Sequence, residues 1–381
     1  VTGVTRNDAT THYLNHIGYD EFGQRELLVS GNGITTTYGY EPVTRRLTQI
    51  SASELDPALV KAKASARKFE QMSYGYDPVG NVTQVRNDAP FDPRLTTQVR
   101  VGPETENITY DDLYQVATVD GIAQTASTSR AHFGLTMKYD AISNIVQKAQ
   151  QNAVDALSAS GSVTSTAVQT DGTYSSAYSY ASRRPHAPTE VDDTVPAAVS
   201  STPIKGAFQY DPSGNESGWT RKSSSSTTTR QLVFDEENRL VEVTQNGVEL
   251  QTSLYDGAGE RAVKRANDST QTAYCGPYLT VRDGGAVTKH IFAGDLRIAT
   301  KYVPNPADEQ CTTCSDAPSV LYFHSDHLGS TRFITDATQA LVAHEEYYPS
   351  GELWIDESNP APGLPQPYLF NGKELDVETG L

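Results

Sequence analysis

Tyr210-Asp211-Pro212-Ser213-Gly214 is one copy of a figure that returns along the chain as Tyr19-Asp20-Glu21-Phe22-Gly23, Tyr76-Asp77-Pro78-Val79-Gly80 and Tyr255-Asp256-Gly257-Ala258-Gly259. Weaker copies begin at Tyr40 (Glu41 in place of Asp), Tyr110, Tyr139 and Phe234, and Tyr348-Pro349-Ser350-Gly351 lacks the Asp. Asp first, Pro second and Gly fourth are the favoured residues of a type I turn. The carboxylate bonds amides two residues on, and Gly takes positive φ without a steric cost. Each copy is therefore predicted to be a strand, a tight turn and a return strand.

The return strands carry their own pattern. Val82 and Val85, Val116 and Val119, and Leu240 and Val243 stand six and nine residues after the motif aromatic. That spacing departs from strict alternation, and a β-bulge in each return strand reconciles the two. Second turns are predicted at Asn246-Gly247, Asp120-Gly121 and Gly31-Asn32-Gly33, because Asn-Gly and Asp-Gly favour hairpins. Tyr19 to Tyr40 and Phe234 to Tyr255 are both 21 residues apart. One unit is thus two strands and two turns. It cannot bury its own face, so neighbours must pair into one sheet.

Composition agrees. Among 381 residues there are 21 Tyr against 10 Phe, 2 Trp and 2 Met, a balance that suits half-buried β-surface. Asp plus Glu number 47 against 30 Lys plus Arg, a net charge of -17. The acid excess argues against a nucleic-acid binder, and no Lys/Arg run offers a local basic groove. No apolar stretch approaches the roughly 20 residues of a membrane-spanning helix. Three Cys are too few for a disulfide framework. The chain opens on Val1, shows no signal-peptide pattern and stops at Glu378-Thr379-Gly380-Leu381, so it reads as a piece of something longer.

Three stretches interrupt the rhythm. Residues 53–70 place Ala, Leu, Lys and Glu at helical spacing and are predicted as one short helix. Residues 151–203 are rich in Ser, Thr, Ala and Pro and are predicted as an insertion or loop. Residues 304–318 are predicted as an exposed loop. The expected organisation is repeats over 1–150, the insertion 151–203, repeats over 204–320, and a distinct C-terminal segment, 321–381.

That last segment carries the most specific signal. It reads His324-Ser325-Asp326-His327-Leu328-Gly329-Ser330-Thr331-Arg332, then Tyr347-Tyr348-Pro349-Ser350-Gly351-Glu352, then Phe370-Asn371-Gly372-Lys373-Glu374-Leu375-Asp376 and Glu378-Thr379-Gly380-Leu381. It is very similar to the opening of the RHS repeat-associated core, and the Tyr-Asp copies resemble the YD repeats of RHS proteins. Arg184-Pro185-His186-Ala187-Pro188 and Ile291-Phe292-Ala293-Gly294-Asp295-Leu296-Arg297 match recurring segments of the same family. Ser143 and Glu237, where a repeat Gly is usual, and Tyr347-Tyr348-Pro349 depart from the pattern.

The resemblance implies an all-β strip curving into part of a hollow shell. In bacterial members, polymorphic Rhs toxins and the C component of Tc toxins, such a shell encloses a toxic C-terminal domain. The family's aspartyl autoprotease site would lie beyond Leu381. The expectation is a structural, non-catalytic segment of a secreted or cell-surface bacterial protein. Its partners would be its own C-terminal toxin domain and a delivery component, with no cofactor, no nucleic acid and no membrane span. The rival class is adhesion or carbohydrate binding by a teneurin-like YD-repeat protein.

Chemical readings of single motifs are weaker than structural ones. His324, Asp326 and His327 invite a metal or acid–base reading, but zinc wants three or four ligands with a supporting shell. Cys311 and Cys314 have half the spacing of a zinc site and fit a local disulfide or free thiols better. Cys275 reads as a small strand residue. The Tyr series could stack on sugars, yet its spacing follows the repeat, which favours packing between strands. No carboxylate pair stands out for acid–base work. The acidity would let a shell lining hold basic cargo loosely, although simple solubility is the favoured explanation. A cut strip exposes strand edges, so the isolated chain is expected to self-associate, and a monomer at high concentration in size-exclusion chromatography would refute that.

Overall fold

Each repeat is built on its turn. A computed structural model describes residues 4–5, 12–54, 67–90, 102–181, 183–303, 320–358 and 367–381. In the first repeat the Asp20 amide donates to Gln24 O at 2.8 Å and the Gly23 amide to Asp20 O at 3.1 Å. One Asp20 carboxylate oxygen accepts from the amides of Phe22 (2.9 Å) and Gln24 (2.8 Å). Gly23 sits at φ 79°, and Gly80, Gly214 and Gly259 at 108°, 100° and 87°. Asp256 repeats the arrangement with Ala258 and Glu260 at 2.8 and 3.0 Å.

Directly after the turn the register slips. Gly75 faces Gln84 but Tyr76 faces Val82, leaving Thr83 as the extra residue in the return strand. The same slip occurs between Gly18–Leu27 and Tyr19–Arg25 and between Leu254–Val263 and Tyr255–Arg261. This is the bulge that the valine spacing demands.

The motif tyrosine then ties one hairpin to the previous one. Tyr40 Oη donates to Arg25 O at 3.0 Å, Tyr76 Oη to Leu47 O at 2.6 Å and Tyr347 Oη to Thr331 O at 2.7 Å. Tyr139, Tyr180, Tyr210 and Tyr255 do the same to Val116, Ile145, Pro188 and Leu240, at 2.8–3.0 Å. Arg25, Leu47, Pro188, Leu240 and Thr331 each lie opposite the aromatic position of the preceding turn. The hydroxyl therefore satisfies a carbonyl where the bulge disturbs the ladder. Arginines reinforce the link: Arg46, Arg184 and Arg239 lie 5.7, 5.6 and 5.1 Å from the rings of Tyr76, Tyr210 and Tyr255.

The described strands pair antiparallel, and the only helical turns among the described residues are the 3-10 turns Asp283–Gly285 and Phe370–Gly372. The chain divides into two compact units, one of residues 1–107, 122–130 and 284–375, the other of 108–121, 131–283 and 376–381. In the first, Ile34, Ala52, Phe69, Phe333 and Leu341 form a buried cluster, with Phe69 stacked on Phe333 at 5.3 Å. In the second, Val119, Phe133, Leu135, Val191 and Val243 are the larger buried apolar side chains.

Several expectations need correction. Ser53 pairs with Lys68 and Ala52 with Glu70 in a strand ladder, so these ends of the predicted helix 53–70 are strand; residues 55–66 lie outside the described residues. Ladder hydrogen bonds outweigh a weak helical preference there. The stretch 151–203 is not an open loop. It contributes to the strands Ile145–Leu157, Val163–Val168, Tyr174–Ala181 and Arg184–Thr194, and Tyr180 occupies a ladder position without an Asp after it. Its Ser and Thr residues suit solvated sheet faces.

Asp120-Gly121 is no turn but lies within the strand Val116–Ala126. A Cβ on Gly121 would stand 2.1 Å from the Phe133 ring, so the glycine answers to packing. In the copy beginning at Phe234, Asn238 and not Glu237 takes the left-handed conformation, at φ 61°. Cys275 follows the strand Gln271–Tyr274 and is exposed. The predicted loop 304–318, with Cys311 and Cys314, lies outside the described residues.

The tyrosine link is testable. Tyr255→Phe should lower unfolding free energy by about 1 kcal/mol in urea titration, because a hydroxyl–carbonyl bond is lost. Tyr19→Phe, at a half-exposed ring with no such bond, should cost less than half of that.

Candidate functional site

The C-terminal motif segment builds two buried polar clusters, one in each unit. In the first unit, Ser325-Asp326-His327-Leu328-Gly329 proves to be another copy of the repeat turn. Asp326 accepts from the amides of Leu328 and Ser330, both at 2.8 Å, and Gly329 sits at φ 85°. Ser330 Oγ accepts from Asn371 N at 3.1 Å, and Thr331 Oγ1 donates to Tyr368 O at 2.7 Å. Gly372, at φ 64°, closes the Phe370–Gly372 turn by donating to Leu369 O at 3.0 Å. Lys373 O accepts from Leu369 N at 2.9 Å, and Glu374 forms a bridge with Tyr368.

The histidines part company. His324 is buried, stacked on Phe333 at 4.3 Å, and bonded through Nε2 to Thr335 Oγ1 at 3.0 Å. Burial pushes it down to about 3, so it is neutral at ordinary pH. His327 meets the Tyr74 ring at 4.7 Å. The Asp326 carboxylate serves its own turn, and among the described residues no group of three or more His, Cys, Asp or Glu is arranged to hold a metal.

Next to this turn lies a cluster that the motifs did not announce. Arg332, 7% exposed, donates from Nη2 to Glu104 Oε2 at 2.6 Å and to Glu346 Oε1 at 2.5 Å. Its Nε stands 3.3 Å from Glu70 Oε1. His344 Nε2 is 2.7 Å from Glu346 Oε1, and its Nδ1 is 3.5 Å from Glu357 Oε2. Burial drives Glu70 up to about 8 against the pull of Arg332, and drives Glu104 up as well. For Glu346, burial is outweighed by Arg332 and His344, and its carboxyl falls below the usual range. Such a group is expensive to bury unless its partners stay in place.

The second unit holds Asp376. Its Oδ2 accepts from Arg261 Nη1 at 2.5 Å and Gln251 Nε2 at 2.9 Å, and its Oδ1 from Lys264 Nζ at 3.0 Å. Glu378 Oε2 lies 3.4 Å from the same Lys264, and Arg230 Nη1 donates to Thr379 O at 2.7 Å. Burial raises the Asp376 carboxyl, but Arg261, Gln251 and Lys264 more than reverse it. The tail closes on itself: Gly380 N donates to Asp376 O at 2.7 Å, and Asp376 N to Leu381 O at 2.8 Å.

Sequence reasoning found Asp376, Gly380 and Leu381 as motif members but not their partners, and it missed the Arg332 cluster. One local signal was present: Arg332 directly precedes Phe333-Ile334 inside a strand, and the pair Glu345-Glu346 stands in the next. Substituting Asp376→Asn should remove charge-assisted hydrogen bonds worth about 1.5–3 kcal/mol. Amides of residues 376–381 should then exchange roughly tenfold faster or more in hydrogen-exchange mass spectrometry, and an unchanged rate would contradict the anchoring role.

Comparison with known proteins places this architecture. The chain is 26% identical to "Toxin subunit YenC1" of Yersinia entomophaga over 399 aligned positions, covering 97% of this chain and 37% of that subunit. It is 37% identical to "Toxin subunit YenC2" of the same organism over 103 residues, 27% of this chain and 10% of that subunit. No family model matches. Among solved structures, TcdB2–TccC3–Cdc42 superposes over 99% of this chain and 17% of the other, at 20% identity and a TM-score of 0.70. The Photorhabdus luminescens Tc holotoxin pore superposes over 98% of this chain and 17% of the other, also at 20% identity and 0.70. The chain thus spans a little over a third of the length of YenC1.

Proposed function

We propose that this chain, an RHS-repeat protein homologous to the YenC1 and YenC2 toxin subunits and resembling the C component of Tc toxins, is a wall segment that shields a C-terminal effector. The observation that carries this reading is the hydroxyl-to-carbonyl ladder of the motif tyrosines. It spends the repeat's signature side chain on joining hairpin to hairpin. Asp carboxylates are likewise used up on turn amides. The signature residues are therefore construction, which supports a structural role and tells against sugar stacking by the tyrosines.

On this reading 321–381 opens the RHS repeat-associated core, and Tyr19, Asp20 and Gly23, with their counterparts at 76–80, 210–214 and 255–259, are hairpin joints. The partners are the protein's own effector and a delivery component of a multi-part toxin. Export follows from that role. No helix among the described residues is long and apolar enough to cross a membrane.

Limited proteolysis of the longest natural form of the protein tests the proposal. Polypeptide C-terminal to Leu381 should resist a protease while the strip is folded and be digested once it is unfolded. Digestion at the same rate in both states would refute shielding. Saturable glycan binding, lost on tyrosine substitution, together with an unprotected C-terminal polypeptide, would establish the adhesion alternative instead.

A further inference from the structure

The Arg332 cluster holds more acid than base, and the excess is buried. It joins strands far apart in the chain. Lys68–Tyr76 brings Glu70 and Tyr74; Glu104–Tyr110 brings Glu104 and Glu106; Thr331–Asp336 brings Arg332. Leu341–Tyr347 contributes His344, Glu345, Glu346 and Tyr347, and Leu353–Ser358 contributes Asp356 and Glu357. Asp326 and His327 act on it from the neighbouring turn, and His324 stands on the strand paired with that of Arg332. Glu70, Glu345 and Glu346 are 1%, 2% and 1% exposed, and Glu104 is 6%.

The charges do not balance if every group ionises. Glu70, Glu104, Glu345 and Glu346 alone would set four buried negative charges against Arg332 and His344, before Glu106, Glu357, Asp326 and Asp356 are counted. Two uncompensated carboxylates in a buried site carry a desolvation cost of several kcal/mol each. Glu104 and Glu346 both meet the same nitrogen, Nη2 of Arg332. Two buried carboxylates brought to one guanidinium nitrogen repel, which favours a proton on one of them.

We infer that the cluster is a proton-dependent clamp, closed by protonated glutamates that hold Arg332 against three strands and loosened when alkali removes those protons. The inference stands on the geometry of the cluster and is independent of any enclosed effector.

The sign follows from which state binds more protons. In the folded chain burial raises Glu70 to about 8 and Glu104 to about 7, whereas unfolded glutamates ionise near 4.3. Between those limits the folded state binds the extra protons, so these groups cost stability progressively as pH rises from about 4.5 to 8. His344 acts in the same direction. Burial opposes its charge, but Glu346 and Glu357 hold it up to about 10. Its contribution is complete below its unfolded value and is lost as pH climbs through 10. Glu345, raised to about 8 by burial, adds to the trend. His324 and His327, both lowered by burial, work the other way below about pH 6.5. Stability should therefore peak in mildly acidic solution.

Two measurements on the 381-residue chain test this. The first is the thermal midpoint between about pH 6 and 9, for the wild type and for a Glu70→Gln/Glu104→Gln double variant, whose amides imitate the protonated acids. The wild-type midpoint should fall across this range. The double variant should fall less steeply and melt higher than the wild type at the alkaline end. Parallel profiles would overturn the clamp. Should the variant fail to fold, infrared spectroscopy of the wild type decides. A protonated-carboxyl C=O band from buried glutamates should persist at neutral pH and disappear reversibly at alkaline pH. Absence of that band at neutral pH would overturn the inference.

Discussion

The bond that links a motif tyrosine to the carbonyl opposite the preceding turn's aromatic position, made by Tyr40, Tyr76, Tyr210, Tyr255 and Tyr347 among others, is the constraint on which the rest of this architecture depends. A two-stranded hairpin has too little apolar face to stand alone. The turn supplies direction, and the bulge re-aims the return strand. Neither dictates where the next hairpin sits. The hydroxyl adds a fixed point to the ladder between hairpins, because it reaches a defined carbonyl at the end of the neighbouring strand. Phenylalanine would fill the same volume without fixing the register, which accounts for the preponderance of Tyr over Phe. Phe234 and Ser325 lack the tyrosine, and the series continues around them through Tyr255 and Leu240 and through Tyr347 and Thr331.

Much of this was legible in the sequence, because the information is local. Asp at one position and Gly three later are turn chemistry, and both carboxylate-to-amide bonds and positive φ appear where the motif places them. The valine spacing announced the bulge. Packing of the tyrosines between strands with a polar partner for the hydroxyl was legible, but not which partner, since the acceptor is a main-chain atom with no sequence signature. Asp120-Gly121 misled for a related reason: its glycine makes room for the Phe133 ring, a tertiary fact, within a strand. Residues 151–203 misled by composition, because a Ser- and Thr-bearing strand such as Val163–Val168, exposed at every residue, looks like loop.

The candidate site was the least legible part. Arg332 and Glu104 are separated by 228 residues, and nothing in either neighbourhood names the other. The histidines that attract attention, His324 and His327, are packed against Phe333 and Tyr74. The residue that organises the cluster is the arginine a few positions on. The cluster also revises the meaning of the net charge. A formal value of -17 counts every carboxyl as ionised, yet Glu70 and Glu345 are raised to about 8 by burial. Part of the acidity is thus internal and bears on cohesion of the fold more than on solubility or on any cargo.

If the tyrosine bond does set hairpin on hairpin, its loss must be felt in the hairpin before. Hydrogen-exchange mass spectrometry of a Tyr76→Phe variant measures this directly. Faster exchange should appear in the strand Leu47–Glu54, which carries the accepting carbonyl, as well as around Tyr76 itself. Acceleration confined to the strands Lys68–Tyr76 and Val82–Asn87, with Leu47–Glu54 unchanged, would contradict the account.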